Sequence, residues 1–284
     1  LLKEAEKGLT KKLPKGMEWV PLENLPTVRW ADSGEPVSSD ILKWWVVQGI
    51  QLKSAECSPL LKRYLGMCKK ADAVAFAQYI LSSWISHDTA TVNPEDAAAR
   101  AERDADQNWN SSLSYMKDHY RKNYASKELL YQDLFKQYSS ELLGTATAQK
   151  GMLAIVSAAG DDECAKKCEK YIRKWYGQRL SQCKALVTVL ASIESTLALQ
   201  ILLSLANRFR TKGIKDLARE YVDAIVDSQG WTLDELADRT VPDGGFARPL
   251  DENEEPIEGS EAVLELDFGP RQFLVKLDDR LVPV

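Results

Sequence analysis

Only two histidines, His87 and His119, occur among the 284 residues of this chain. That scarcity removes most routes to a zinc centre or a histidine-based catalytic triad. Neither the serine, zincin nor kinase motif is present. Both histidines fall near the ends of polar helical stretches, where a surface or boundary role fits best. A strong excess of one charge is also missing. Net charge is −5, from 37 Lys+Arg against 42 Asp+Glu, which gives no global case for a nucleic-acid binder. The five cysteines are an odd number in a large chain, so a disulfide framework is not expected. Cys164 and Cys168 lie four apart on one helix face, with Cys183 on the next helix. A fourth soft ligand is not evident, and small core thiols are the reading.

An uninterrupted membrane-length apolar run is lacking too. The most apolar stretch, Ala185 to Ala206, is broken by Glu194-Ser195-Thr196 and by Gln200. Two short helices around a charged turn fit better than one span. The only glycine pair near a helix is Gly244-Gly245, in GWTLDELADRTVPDGGF from Gly230 to Phe246. A phosphate loop places its glycines after a strand and before a helix. Here the helix comes first, so Asp243-Gly244-Gly245 reads as a joint. Carboxylates crowd the region between Pro249 and Pro270, eight Asp/Glu with no Lys/Arg. That spacing matches neither a calcium loop nor a desolvated catalytic pair, and DENEEPIEGSE reads as a solvated loop.

What is present is helical periodicity. The pattern predicts an irregular entry segment over 1–36, an N-terminal helical region over 37–88 and a helical insertion over 89–147. Helical repeats follow over 148–230, then a short helix, acidic loop and β-hairpin over 231–284. Helix starts are expected at Ser38 or Ser39, at Ser58-Pro59, at Asp72, and at Asn93-Pro94 with Glu95 and Asp96 behind it. The Ala-rich helix after Asn93 reads as a solvated surface helix or a partly mobile one. Thr232 and Glu235 form a capping box. Gly213 suits a helix stop before a helix from Ile214 to Gln229, which ends at Gly230. Leu264, Leu266 and Phe268, then Phe273, Val275 and Leu277, alternate around the Gly269-Pro270 break. The charged opening and the apolar ending LVPV read as cuts through a longer protein.

The segment from Met152 aligns with that from Leu186 at an offset of about 34 residues, a period typical of helical repeats. Leu153 matches Val187, Ile155 matches Val189, Val156 matches Leu190, Tyr171 matches Leu205 and Trp175 matches Phe209. Each unit is a short helix, a polar turn and a longer helix. The fold class expected is mostly α: HEAT-like hairpin repeats, α-solenoid-like, with a helical insertion and a small C-terminal α+β segment.

Two stretches resemble a known family. One is GWTLDELADRTVPDGGF followed by LELDFGPRQFLVKLDDRL; the other is ANRFRTKGIKDLAREYVDAI leading into it. Thr232, Glu235, Leu236, Ala237, Asp238 and Arg239, then Asp267, Phe268, Gly269, Pro270, Arg271 and Phe273, carry the likeness. Together they resemble the large bacterial family labelled molybdate-metabolism-regulator-like (MolR-like), whose members often carry a WGR domain elsewhere in a long chain. The resemblance spans residues 149–284, is weaker over 19–86 and is absent across the insertion. It implies no catalytic, metal or cofactor-binding residue. Trp175-Tyr176-Gly177-Gln178-Arg179 echoes the WGR name only and lies at a helix end.

The most suggestive chemistry is basic. Arg208, Arg210, Lys212, Lys215 and Arg219 form one row. Lys166, Lys167, Lys170, Arg173 and Lys174 occupy the matching helix of the preceding repeat. Stacking would bring the rows together as a ridge able to track phosphates. The competing account is that basic residues at a helix C-terminus complement its dipole. The functional expectation is a cytoplasmic, non-catalytic scaffold or protein-interaction module without cofactor. Its partner would be another protein or another part of the parent chain. A nucleic-acid-associated regulator using the basic rows, and part of an enzyme completed by regions outside this chain, stand as alternatives.

Overall fold

Five helix starts are set by a side-chain oxygen that accepts from a first-turn backbone N–H, the usual way to satisfy an otherwise unpaired donor. Ser38 accepts from Asp40, Asn93 from Glu95, Ser126 from Leu129, Asp161 from Cys164 and Ser195 from Ala198, at 2.9–3.3 Å. The computed structural model describes residues 1–10, 14, 17–232, 235–236, 263–267 and 271–276. Among these are twelve α-helices: α1 (Leu2–Leu9), α2 (Ser39–Leu52), α3 (Pro59–Gly66), α4 (Lys70–Asp88), α5 (Pro94–Trp109), α6 (Ser114–Asn123), α7 (Lys127–Ser139), α8 (Leu153–Ala159), α9 (Asp162–Trp175), α10 (Leu180–Ser192), α11 (Thr196–Arg208) and α12 (Lys212–Gln229). Two strands, β1 (Leu264–Asp267) and β2 (Gln272–Val275), follow. The fold is mostly α, and the chain divides into units of residues 1–225 and 226–284.

In the first unit the core is organised by α8. Leu153, Ala154, Ile155 and Val156 are consecutive and wholly buried. A helix apolar on every side must be covered on every side; here α2, α3, α4 and α10 pack against it. Beyond α8, α10 also lies beside α9, and α11 lies beside α9 and α10. The caps of α9 and α11, Asp161 and Ser195, lie 34 residues apart, the offset expected from the sequence. Between α10 and α11 the chain breaks at Ile193-Glu194-Ser195, and Glu194 pairs with Lys62 at 2.6 Å. Among the described residues no helix is long and apolar enough to cross a membrane.

Toward the N-terminus, the fully buried Trp45 packs between Trp30 (edge-on, 6.2 Å) and Tyr64 (stacked, 5.7 Å). Several details differ from expectation. The opening is not wholly irregular: α1 buries Ala5 and Gly8, and it packs against α2. The helix expected to start at Asp72 is α4, which begins at Lys70, and Asp72 instead binds the entry segment. Its carboxylate accepts from the Arg29 backbone N–H at 3.0 Å and from Nε and Nη2, both at 2.8 Å. In the 89–147 stretch, α5 is not a free surface helix. Ala97, Ala101 and Ala105 are fully buried, and α7 packs closely where small side chains let the backbones approach. Tyr138, Tyr131, Leu134 and Phe135 complete that cluster. Its base is closed by Val92 N–H to Glu141 O at 3.2 Å and Leu143 N–H to Ala90 O at 2.9 Å. Gly213 is no stop; it is the second residue of α12, whose start is set by Thr211 O accepting from Ile214 and Lys215.

In the second unit Gly230 has φ +65°, where glycine avoids the Cβ penalty, and it terminates α12. Thr232 and Glu235 exchange the reciprocal bonds of a capping box, at 2.7 and 3.2 Å. The antiparallel register sets Leu264 opposite Val275 and Leu266 opposite Phe273, so these four share one face. The Asp243-Gly244-Gly245 joint, the acidic loop and most of the expected 233–239 helix lie outside the described residues.

Two measurements check this packing. A Cβ on Gly151 would run into the Gly49 carbonyl of α2, whereas one on Gly66 meets nothing within 4 Å. Gly151→Ala is therefore expected to lower the unfolding free energy by about 1–3 kcal/mol, and Gly66→Ala to leave it within about 0.5 kcal/mol, by urea titration. Hydrogen bonding to Arg29, then its charge, holds the Asp72 carboxyl below the usual range against opposing desolvation. The unfolded chain then binds that proton more readily. The stabilisation is complete above the unfolded carboxyl pKa and is lost as pH falls through the lower folded value. Asp72→Asn is expected to flatten the acid limb of a stability–pH profile; an unchanged limb would contradict the pairing.

Candidate functional site

Two kinds of polar assembly stand out, one inside and one outside. The inner one centres on Asp88, the last residue of α4, which is completely buried. Its carboxylate accepts from Ala146 N–H at 2.6 Å, Gln182 Nε2 at 3.2 Å, Thr145 Oγ1 at 3.3 Å and the Tyr171 hydroxyl in a very short bond. Arg179 lies with Nε 3.7 Å from Oδ2, and its Nη2 donates to the carbonyls of Asp88 (3.2 Å) and Gly144 (2.6 Å). Trp84 Nε1 donates to Ala146 O at 3.1 Å. Buried carboxylates persist when paired and hydrogen-bonded in this way. Desolvation, then the bond to Asp88, pushes the Tyr171 phenol upward. The Asp88 carboxylate is buried with its acceptor sites engaged, while Gly144 and Thr145 at the rim are exposed, so the assembly works as a joint between α4, α9, α10 and the 144–147 connection.

The cysteines are part of the same interior. Cys164, Cys168 and Cys183 are fully buried. Burial pushes the Cys164 and Cys183 thiols up to about 12, and Cys168 is raised as well. Thiols held in that state are poor nucleophiles and metal ligands. His87 stacks on Trp19 at 3.9 Å, and burial lowers its pKa; His119 is exposed beside Asn123.

The outer assembly flanks α9. On one side Arg173, Tyr176, Arg208, Phe209 and Arg210 line a notch of about 220 Å³. Tyr176 follows α9 and Phe209 follows α11; their rings meet edge-to-face at 5.4 Å. Phe209 is extended (φ −74°, ψ 142°), with Arg208 and Arg210 on either side of it in the chain, both exposed. On the other side, Lys167, Lys170, Lys174 and Trp175 line a groove of about 310 Å³ against Ser82 and Ser86 of α4. Lys167 Nζ donates to Ser82 Oγ at 2.9 Å, and Lys174 Nζ stands 4.9 Å over the Trp175 ring. No carboxylate lines either recess among the described residues.

The expected basic residues thus divide. Arg173, Arg208 and Arg210 share the first notch and Lys170 lines the second. Lys166 is tied to Glu163 at 2.6 Å, and Arg173 also meets Glu169 at 2.7 Å. Lys212, Lys215 and Arg219 run along α12, outside both recesses. The aromatic component, Trp175, Tyr176 and Phe209, was not among the expected site residues. The 34-residue correspondence of Trp175 with Phe209 was its only signal in the sequence.

The two assemblies separate under mutation. Removing the Asp88 carboxylate leaves Arg179 without its counter-ion and Tyr171 without an acceptor, so Asp88→Ala is expected to cost about 3–5 kcal/mol. Arg208→Ala and Arg210→Ala, at exposed positions, are each expected to change stability by no more than about 0.5 kcal/mol. Thermal and chemical denaturation of the three variants provide the comparison.

The chain was compared with known proteins. No family model matches it, and no solved structure matches it. It is similar to the uncharacterized protein YehI of Escherichia coli (strain K12), 27% identical over 153 residues. That match covers 54% of this chain and spans 12% of the relative's length.

Proposed function

We propose that this chain is a non-catalytic interaction module, a scaffold of HEAT-like hairpins within a larger cytoplasmic bacterial protein of the MolR-like kind, and that it docks an anionic macromolecule along α9. The layering supports the solenoid reading. Helices α8 and α10 are neighbours, α9 and α11 are neighbours, and the caps of α9 and α11 fall 34 residues apart, although α10 and α11 are both 13 residues long and only α8, at 7, is short. The observation that carries the binding role is the pair of recesses beside α9. They are lined by three arginines on one side and three lysines on the other, with aromatic rings in both. A dipole-complement role accounts for Arg173, Lys174 and Arg208 in the last turns of α9 and α11. It does not account for Arg210, which lies beyond α11, or for the absence of carboxylates from the recess walls among the described residues.

Retention on heparin resin tests this reading. An acidic chain of net charge −5 has no global reason to bind a polyanion. The wild-type protein is nevertheless expected to be retained at low salt and released as salt rises. A variant carrying Lys170→Glu, Arg173→Glu, Arg208→Glu and Arg210→Glu is expected in the flow-through. Arg121→Glu with Lys122→Glu on α6 should leave retention unchanged. Wild-type protein in the flow-through at low salt would end the proposal.

A further inference from the structure

Resting on that reading, the geometry points to a single-stranded nucleic acid as the anionic partner, laid across the C-terminal half of α9 from the Lys167–Lys170–Lys174 groove to the Arg173–Arg208–Arg210 notch. The recesses lie on opposite sides of one helix, so a strand leaving one enters the other by crossing a single helix. Such sites combine a cationic groove that follows the phosphates with aromatic rings on which bases stack. Both components are present on each side. Lys174-Trp175 and Arg208-Phe209 are the same element of two successive repeats, a cation followed by an aromatic where the helix ends. A site repeated along a stack suits a ligand that repeats along its length, with one charge and one flat ring per unit.

The aromatics decide between polyanions. Trp175, Tyr176 and Phe209 are each half-buried, anchored in the fold while lining a recess. An acidic peptide or a sulfated polysaccharide would engage the six cations but offers no ring for these side chains. A duplex has rings, but they are stacked inside it and its phosphates lie outside. Unstacked bases are available in a single strand. Arginine adds to this preference, since its planar guanidinium both pairs with phosphate and stacks on a base.

The test is fluorescence anisotropy of the 284-residue chain with a labelled oligothymidylate and a labelled oligouridylate, each of about 16 nucleotides, across a salt series. Duplex DNA of the same length, heparin and polyglutamate serve as competitors. Binding should weaken with salt at a slope of about −0.7 per phosphate neutralised. Arg208→Gln with Arg210→Gln should make the slope shallower by about 1.4. Trp175→Leu and Phe209→Leu should each reduce affinity about five-fold or more while leaving the slope unchanged, because stacking carries no counter-ions. Circular dichroism of each variant confirms folding, and the arginine pair provides the exposed-site check if an aromatic variant fails to fold. Retention on heparin with no oligonucleotide binding would overturn this inference and leave the interaction module standing. Equal affinity for duplex and single strand, or displacement by polyglutamate as effective as by oligonucleotide, would overturn it too. So would aromatic variants that bind unchanged.

Discussion

The interior of this protein depends on one buried charge. Asp88 ends α4 in a place no water reaches, and four donors converge on its carboxylate from α9, α10 and the Thr145-Ala146 connection. Arg179 neutralises it from 3.7 Å while holding the carbonyls of Asp88 and Gly144. Such a network gives little net stability over an apolar core, but it allows few alternative geometries. It therefore ties the end of the 89–147 stretch to α4, α9 and α10, and through Tyr171 and Arg179 it braces both sides of the α9–α10 connection. Trp175 ends α9 and Tyr176 opens that connection, so the inner joint also positions the outer recesses.

Electrostatics explains how an acidic protein can present a cationic face. Screening confines exposed charges to about 8–10 Å at physiological salt. What a ligand meets at α9 is therefore the local set of lysines and arginines, and net charge matters little. Several exposed cations are neutralised by neighbours: Lys166 by Glu163 and Arg173 in part by Glu169 on α9, and Lys62 by Glu194 elsewhere. Arg208, Arg210 and Lys170 line recesses with no carboxylate among their described residues, and these combine charge with aromatic surface.

Much of the architecture was legible in the residues themselves. Caps are local chemistry, so Ser38 and Asn93 announced helix starts that formed, and Thr232 and Glu235 make the capping-box bonds expected of them. The mostly α character follows from helical periodicity in the same way. Errors arose where a distant partner decided the outcome. Asp72 looked like a helix start, but its carboxylate turned to Arg29, 43 residues earlier. The alanines of α5 looked too small to make a core, yet small side chains are what let α7 approach. Gly213 looked like a stop, but Thr211 two residues earlier opened α12.

The basic rows were legible as composition and spacing, and so was the 34-residue correspondence that puts Trp175 and Phe209 in equivalent places. Which cations are free and which are paired was not, because ion pairs with i+3 and i+4 neighbours depend on rotamers, and pairs such as Lys62–Glu194 depend on packing. By itself the sequence determined the helices, their caps and their apolar faces, since these rest on interactions within a few residues. Only the tertiary structure decided that Asp88 would be enclosed, and that three arginines from two helices and the turn after them would meet around two aromatic rings. Those outcomes require groups separated by tens of residues to converge, and no local pattern encodes that distance.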